Sequence, residues 1–276
     1  MRQKLEARLL RGMTYLGSIF TMAVLGIVVG YILIKGIPHL TPELFAWKYT
    51  SDNVSMLPAI INTLLMTAIA LVLAVPLGIG AAIWLTEYAR RGSRLVKLVR
   101  ITAETLSGIP SIIYGLFGAL CFVEAMKLGL SLISGALTLA IMILPLIMRT
   151  AEEGLLAVPD SFREGSFGLG AGRLRTTIKV VLPSAIPGIL AGVILAVGRI
   201  VGETAALIYT AGTVPEAAKS LTSSARTLSV HMYTISSEGL YINQSYATAV
   251  VLLVIVMGVN FLSEWIARKV GTHGKN

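Results

Sequence analysis

Six stretches of the chain are apolar for long enough to cross a bilayer, a distance that needs about 20 residues. They fall at about residues 14–34, 59–85, 105–124, 130–148, 185–211 and 247–266. Charged residues gather in the segments between them. The segment at about 149–184 is the longest of those on the N-terminal side of the membrane, and it is too short for an independent catalytic domain. The segment at about 212–246, on the other side, predicts short helices near 215–225 and 228–235. The first stretch could pass for a secretory leader. Its apolar core is too long, however, and no small-residue cleavage signal precedes Lys35, so it reads as an uncleaved helix. The pattern predicts an all-α integral membrane protein with six transmembrane helices.

Composition agrees. Apolar residues make up 55% of the 276 positions and charged residues only 13%, against roughly 25% charged in soluble domains. The net charge of +9 follows from topology rather than from nucleic-acid binding. Of 23 Lys and Arg residues, 17 fall in the N-terminal tail, the second and fourth connections and the C-terminal tail, and five fall in the alternate segments. Basic residues mark the cytoplasmic side, so both termini are expected there. The lone Cys121 provides no disulfide framework or thiolate cluster. His39, His231 and His273 lie too far apart for a metal-ligand spacing. No phosphate-cradling ATP loop is present, and Gly168, Gly170 and Gly172 read as a helix stop and turn.

The cytoplasmic run from Val158 to Gly170 is more informative. Ser161 and Glu164 have the spacing of a capping box, Pro159 precedes them, and Gly170 suits a left-handed stop. These signals predict a two-turn helix about 12 Å long at ~1.5 Å per residue. Leu182-Pro183 and Pro187 then predict a bend where the chain re-enters the bilayer. With a Phe162, Ser166 and Leu169 face, the helix either inserts into a partner's groove or lies on the membrane as a connector.

The same run resembles the cytoplasmic motif of importer-type ABC permeases: Glu-Ala-Ala, three residues, Gly, nine residues, then Ile-x-Leu-Pro. This sequence supplies Glu164, Gly165, Ser166, Gly170, Val180, Leu182 and Pro183 at that spacing. The resemblance covers roughly residues 59–266 and implies a helix docked in a cleft of a separate ATPase subunit.

The fifth stretch holds Arg199 near its middle and Glu203 four residues on. Each buried charge costs about 2.5–3.5 kcal/mol on insertion scales. One helical turn of spacing predicts an Arg199–Glu203 pair, which serves either as a structural lock or as part of a substrate path. Gly198 and Gly202 leave the same surface open to close approach. An Arg fork suits a tetrahedral oxyanion, and a carboxylate beside it can accept the proton that phosphate retains near neutral pH, whereas sulfate carries none. Arg149 ends the fourth stretch. There it either faces the cytoplasmic mouth of a pathway or snorkels to headgroups. Pro76, Pro110 and Pro145 are expected to bend their helices, and Asn62 and Thr63 to bond across helices.

Residues 198–212, with Gly198, Arg199, Gly202, Glu203 and Thr204, resemble the fifth core helix of phosphate-specific ABC permeases of the PstA type. Residues 107–118 and 147–153 are similar to that family too. The resemblance implies a type I ABC importer permease fold in a prokaryotic plasma (inner) membrane, with Arg199, Glu203, Thr204 and Arg149 on the substrate pathway. It places Ser161, Glu164, Gly170, Leu182 and Pro183 in coupling to the ATPase. Also implied are a homologous second permease subunit, two ATPase subunits that bind ATP and Mg, and an extracytoplasmic phosphate-binding protein. The chain itself would then be no enzyme and hold no cofactor. Its organisation is read as a tail, first helix and external loop over 1–58, a core over 59–266 with the coupling helix near 160–170, and a tail over 267–276. Two readings compete: a permease for sulfate or molybdate, and an ion-coupled carrier with Glu203 as proton relay.

Overall fold

The computed structural model describes residues 2–90 and 92–272, with side chains placed for 10–90, 92–262 and 265. Arg2, Lys4, Arg8, Arg91, Arg268, Lys269 and Lys275, which contribute to the charge asymmetry, lie outside the described side chains, as does His273. Every regular element among the described residues is helical. Helix α1 runs Arg2–Gly36, and α2 runs Leu57–Ile83 and closes in a π turn at Trp84–Tyr88. Helix α3 (Arg94–Ser107) leads to α4 (Ser111–Gly118), which widens into a π turn at Ala119–Ala125. Then come α5 (Leu132–Leu156) and α6 (Asp160–Gly168). Helix α7 (Arg173–Thr176), a π turn at Thr177–Val181 and α8 (Leu182–Val201) form one 29-residue rod. The chain ends with α9 (Ala205–Thr210), α10 (Leu228–Ser237) and α11 (Ile242–Thr272).

Helix α5 is the centre of the bundle. The Ser131 hydroxyl caps its start by accepting from the Ser134 amide at 3.3 Å. Leu139, Met142, Ile143 and Ile147 of α5 pack with Met66, Ala70 and Ala74 of α2, Ala196 and Ile200 of α8, and Leu207 of α9. Small residues bring the helices close, as expected where packing rather than water drives association. A Cβ on Gly78 would stand 2.8 Å from Ile147 Cγ2, and one on Gly188 would stand 2.8 Å from Gly154 Cα. Helix α1 stands apart. It packs chiefly on α11, where Gly36 abuts Tyr246 and the Tyr31 and Tyr246 rings meet edge-on at 5.8 Å. The rest of its apolar surface is bare and suits lipid.

Five helices are long and apolar enough to span: Leu10–His39, Leu57–Tyr88, Leu132–Leu156, Arg173–Val201 and Ile242–Leu262. The expected third span, 105–124, is instead a break. Arg94–Ser107 and Ser111–Ala125 meet at 101°, so together they make a sixth crossing only as a bent pair. Pro110 lacks an N–H and restricts Ile109 before it, which ends α3. The Leu106 carbonyl accepts from the Ile109 amide at 3.1 Å and from the Tyr114 hydroxyl at 2.8 Å.

The fourth span does not end at Arg149 but continues to Leu156. Glu152, in this added stretch, is buried and accepts from Arg100 Nε of α3 at 2.7 Å. The fifth span, expected over 185–211, begins earlier and ends at Val201. The chain stays helical through Leu182-Pro183 and Pro187, without a break. The π turn before α8 gives room for the Pro183 ring, which would otherwise meet the carbonyl four residues back. Pro76 and Pro145 likewise lie inside continuous helices.

The short helix expected near 215–225 does not form, although the one near 228–235 does, as α10. Asn62 of α2 accounts for this by organising the loop before α10 as irregular chain. Its amide donates to the carbonyls of Glu216 (2.9 Å) and Arg226 (3.2 Å) and its oxygen accepts from the Ala218 amide (2.9 Å). Thr63 Oγ1, one residue on, accepts from the Leu228 amide at 2.8 Å and so caps α10.

Outside the spans, Arg226 lies with its Cζ 4.7 Å above the Tyr49 ring, and fully buried His231 meets that ring edge-on at 6.2 Å. Burial, and then the Arg226 charge, push the His231 pKa down to about 3, against a smaller opposing effect of the Val54 backbone. Because the folded value lies below the ordinary 6.5, the unfolded chain binds the extra proton first as pH falls. The contribution is complete above about pH 6.5 and declines toward about pH 3. Thermal unfolding should therefore show a loss of about 2–3 kcal/mol between about pH 7 and pH 4.5. His231→Phe, which keeps a ring against Tyr49, should flatten that slope, and an unchanged slope would place its origin elsewhere.

Candidate functional site

The two helix breaks lie at one depth. Gly115 of α4 faces Ala206 of α9, and Gly118 faces Thr210, so the half-helices run side by side in the same direction from Ser111 and Ala205. The breaks at 108–110 and 202–204 therefore adjoin. On the other side, α5 and α8 run antiparallel with Gly154 against Gly188 and Thr150 against Gly192. That register sets Arg199 level with Ile143, halfway along α5. Arg199 is thus two residues from the end of its helix and still at mid-depth, because the helix itself stops there. Broken helices at the midplane are a recurring way to expose backbone groups to a ligand.

Arg199 is half-buried and lies within electrostatic reach of Tyr114. The expected ion pair with Glu203 does not form among the described residues. A spacing of four residues puts two side chains on one face only while the helix continues, and it stops at Gly202. Glu203 is buried (8% exposed) and turned onto α9, where Oε1 accepts from the Ala206 amide at 3.1 Å. Its carbonyl accepts from the Ser229 hydroxyl of α10. Thr204 follows, half-buried, on the wall of a cavity of about 520 Å³ bounded by α1, α10 and α11.

Arg149 lies on α5 toward the α6 end, about 9 Å below Ile143 at ~1.5 Å per residue. It approaches Glu104 at 3.8 Å and Glu153 at 4.0 Å, with 43% of its side chain exposed. Arg199, Glu203 and Thr204 thus flank one helix break without a bond between Arg199 and Glu203, and Arg149 stands apart as a second cationic point.

At the α6 end, Gly170 takes φ +80°, the left-handed stop expected of it. The capping box is absent. Helix α6 starts at Asp160 after Pro159, so Ser161 is already inside the helix and cannot act as its cap. Phe162 (49% exposed) and Leu169 (92%) remain free, whereas Ser166 turns inward to bond Thr176 at 2.8 Å. Glu164 is exposed, Leu182 packs against the core that includes Leu155, Val158 and Val181, and Pro183 is exposed.

Arg163, read in sequence only as a basic marker, is the polar centre of this end. It bonds Glu87 of the α2 π turn, the carbonyls of Leu155 and Val158, and Asp160. No local spacing announces this pair, since Glu87 lies 76 positions away. A cleft of about 740 Å³ beside it is lined by Arg90, Arg100 and Arg173 as well.

Comparison with known proteins adds the lineage. The family described as "Binding-protein-dependent transport system inner membrane component" matches residues 74–272. The "Probable ABC transporter permease protein YqgI" of Bacillus subtilis is 32% identical over 96% of each chain. The "Phosphate transport system permease protein PstA" of Pasteurella multocida is 36% identical over 76% of this chain and 75% of that one. Among solved structures, a bacterial alginate ABC transporter with its alginate-bound periplasmic protein aligns with a TM-score of 0.71 at 14% identity, covering 95% of both chains. The fold is that of type I ABC importer permeases.

Proposed function

This chain belongs to the binding-protein-dependent transport system inner membrane component family, and we propose that it forms half of the membrane pathway of an ATP-driven importer of inorganic phosphate. Permeases of this family work with ATPase subunits and a binding protein. In this reading a homologous second permease completes the pathway, two ATPase subunits hold ATP and Mg, and an extracytoplasmic phosphate-binding protein delivers the anion. The chain serves as a conduit and hydrolyses nothing itself. The α6 end and both termini face the cytoplasm, in keeping with the gathering of basic residues there.

The observation that carries the reading is a half-buried arginine at the mid-depth break, beside a buried carboxylate and a hydroxyl, in a chain akin to a phosphate transport permease. Arg199 supplies two parallel charge-assisted hydrogen bonds to an oxyanion. Glu203 Oε1 is engaged by the Ala206 amide, which leaves Oε2 to accept a substrate hydroxyl. A dianion without a proton meets only repulsion there. Thr204 adds a hydroxyl, and Arg149 offers the next cationic point toward the cytoplasm. Phe162, Glu164 and Leu169 lie on the exposed surface of α6 that docks the ATPase, with Ser161 in its first turn and Leu182 and Pro183 leading the stroke into α8.

Reconstitution of the purified complex with its binding protein in vesicles tests the reading. Uptake should need ATP, and unlabelled phosphate should compete while sulfate and molybdate do not. Competition by sulfate would point to another oxyanion, and uptake without ATP would point to an ion-coupled carrier.

Gly170 gives a narrower test of the α6 assignment. No atom lies within 4 Å of where its Cβ would stand, so substitution acts through the backbone alone. Gly170→Val forces a β-branched residue into the left-handed region at a cost of about 1–2 kcal/mol, whereas asparagine tolerates it. The valine variant should insert normally yet lose phosphate-stimulated ATP hydrolysis, and Gly170→Asn should keep most of it.

A further inference from the structure

Helix α6 is joined through the chain to α5 and to the α7–α8 rod, but nothing covalent nearby ties it to α2. The Arg163 side chain does so. Its Nε and Nη2 form a fork on Glu87, with Nη2 2.7 Å and Nε 3.1 Å from Oε1. Nη2 also donates to the Leu155 carbonyl at 3.0 Å, and Nη1 donates to the Val158 carbonyl at 2.7 Å and to Asp160 at 3.3 Å. All three nitrogens are used. Side-chain exposure is 15% for Arg163 and 7% for Glu87, so the pair is shielded from the screening that weakens surface ion pairs. The same guanidinium adds a donor to the carbonyls of Leu155, in the last turn of α5, and of Val158 just beyond it. Three elements therefore meet on one planar cation, and lysine, with a single nitrogen, could not hold them all.

Helix α2 carries this contact to the far side. From Glu87 it runs to Asn62, roughly 37 Å away at ~1.5 Å per residue. There Asn62 and Thr63 hold the loop before α10 and the start of α10 itself.

We infer that the Arg163–Glu87 pair is a transmission contact, through which movement of α6 carries α2 and, at its other end, the loop and helix that cover the mid-depth break. Arg163 is a positioning residue in this scheme and touches no substrate. The inference rests on the proposed role of α6 as the ATPase-coupled helix.

Its test is the ratio of phosphate taken up to ATP hydrolysed by the intact complex in vesicles. Glu87→Gln keeps the shape and removes the charge. It should leave assembly and basal ATP hydrolysis near wild type while the ratio falls by about tenfold, within the range of known coupling effects. Glu87→Asp should recover part of it. A purely structural pair would lower assembly and scale uptake and hydrolysis together, and either that result or an unchanged ratio would overturn the inference. A second measurement does not depend on those variants folding. Spin labels at Trp84→Cys and Leu169→Cys, both exposed positions, report the α2–α6 distance with and without ATP. That distance should stay fixed through the cycle, and a change of several ångströms would also overturn the inference. Absence of ATP-dependent phosphate uptake in the wild-type complex would defeat the functional reading instead.

Discussion

Replacing Arg199 with glutamine should bring phosphate uptake below detection while the complex still assembles. Glutamine keeps a donor but neither the charge nor the two-pronged edge. Hydrogen bonds to charged groups contribute about 1.5–3 kcal/mol each, so losing two corresponds to roughly 10²- to 10⁴-fold in anion occupancy. Lysine should restore only part, as a point charge without the fork. The structure also sharpens the contrast with a structural lock. Arg199 and Glu203 are not paired, and Glu203 is held by the Ala206 amide, so removing Arg199 strands no partner. Glu203→Gln preserves that cap through its own carbonyl oxygen. The double variant Arg199→Gln with Glu203→Gln should assemble and remain inactive. Recovery of uptake in it would defeat the substrate-path assignment and return the two residues to a purely structural role.

The second large effect is expected at Gly115. A methyl group there would stand 2.7 Å from Ala206 Cα and 3.2 Å from its carbonyl oxygen. These are backbone atoms, which cannot turn aside as a flexible side chain can. Gly115→Ala should force α4 and α9 apart and cost about 1–3 kcal/mol, the usual range for overpacking. Because those half-helices begin at the two breaks, uptake should fall with stability. The same substitution at Gly80, where nothing lies within 4 Å, serves as control. Gly80→Ala should be neutral or gain up to about 1 kcal/mol from helix propensity. Thermal unfolding of the two variants side by side decides the matter, and equal melting behaviour would mean that α4 and α9 do not approach as described.

Where the chain crosses the bilayer is legible from apolar length, because a spanning helix must satisfy its own backbone and hide its polar groups over a fixed thickness. What escapes that criterion is any interruption made of a few residues inside an apolar run. Gly108-Ile109-Pro110 and Gly202-Glu203-Thr204 are both averaged away by the hydrophobic residues around them. The absence of the expected Arg199–Glu203 pair has the same origin, since a spacing of four residues joins two side chains only where the helix continues through Gly202. Charges mislead in the other direction: Arg149 reads as the end of its span, yet α5 continues to Leu156, and its buried Glu152 is neutralised by Arg100 from another helix. Gly170 was readable because a left-handed stop is a local demand on one residue. Arg163 and Asn62 were not, since each bonds groups far along the chain.

The near isolation of α1 bears on how the protein is made. This helix leaves the ribosome well before its chief partner, α11. At about 5–20 residues per second, the roughly 200 residues between them take about 10–40 s. Through that interval α1 must wait in the bilayer with no neighbour from its own chain. A surface that is apolar all round is what makes such waiting tolerable. Docking of α11 against Tyr31 and Gly36 then ends that wait.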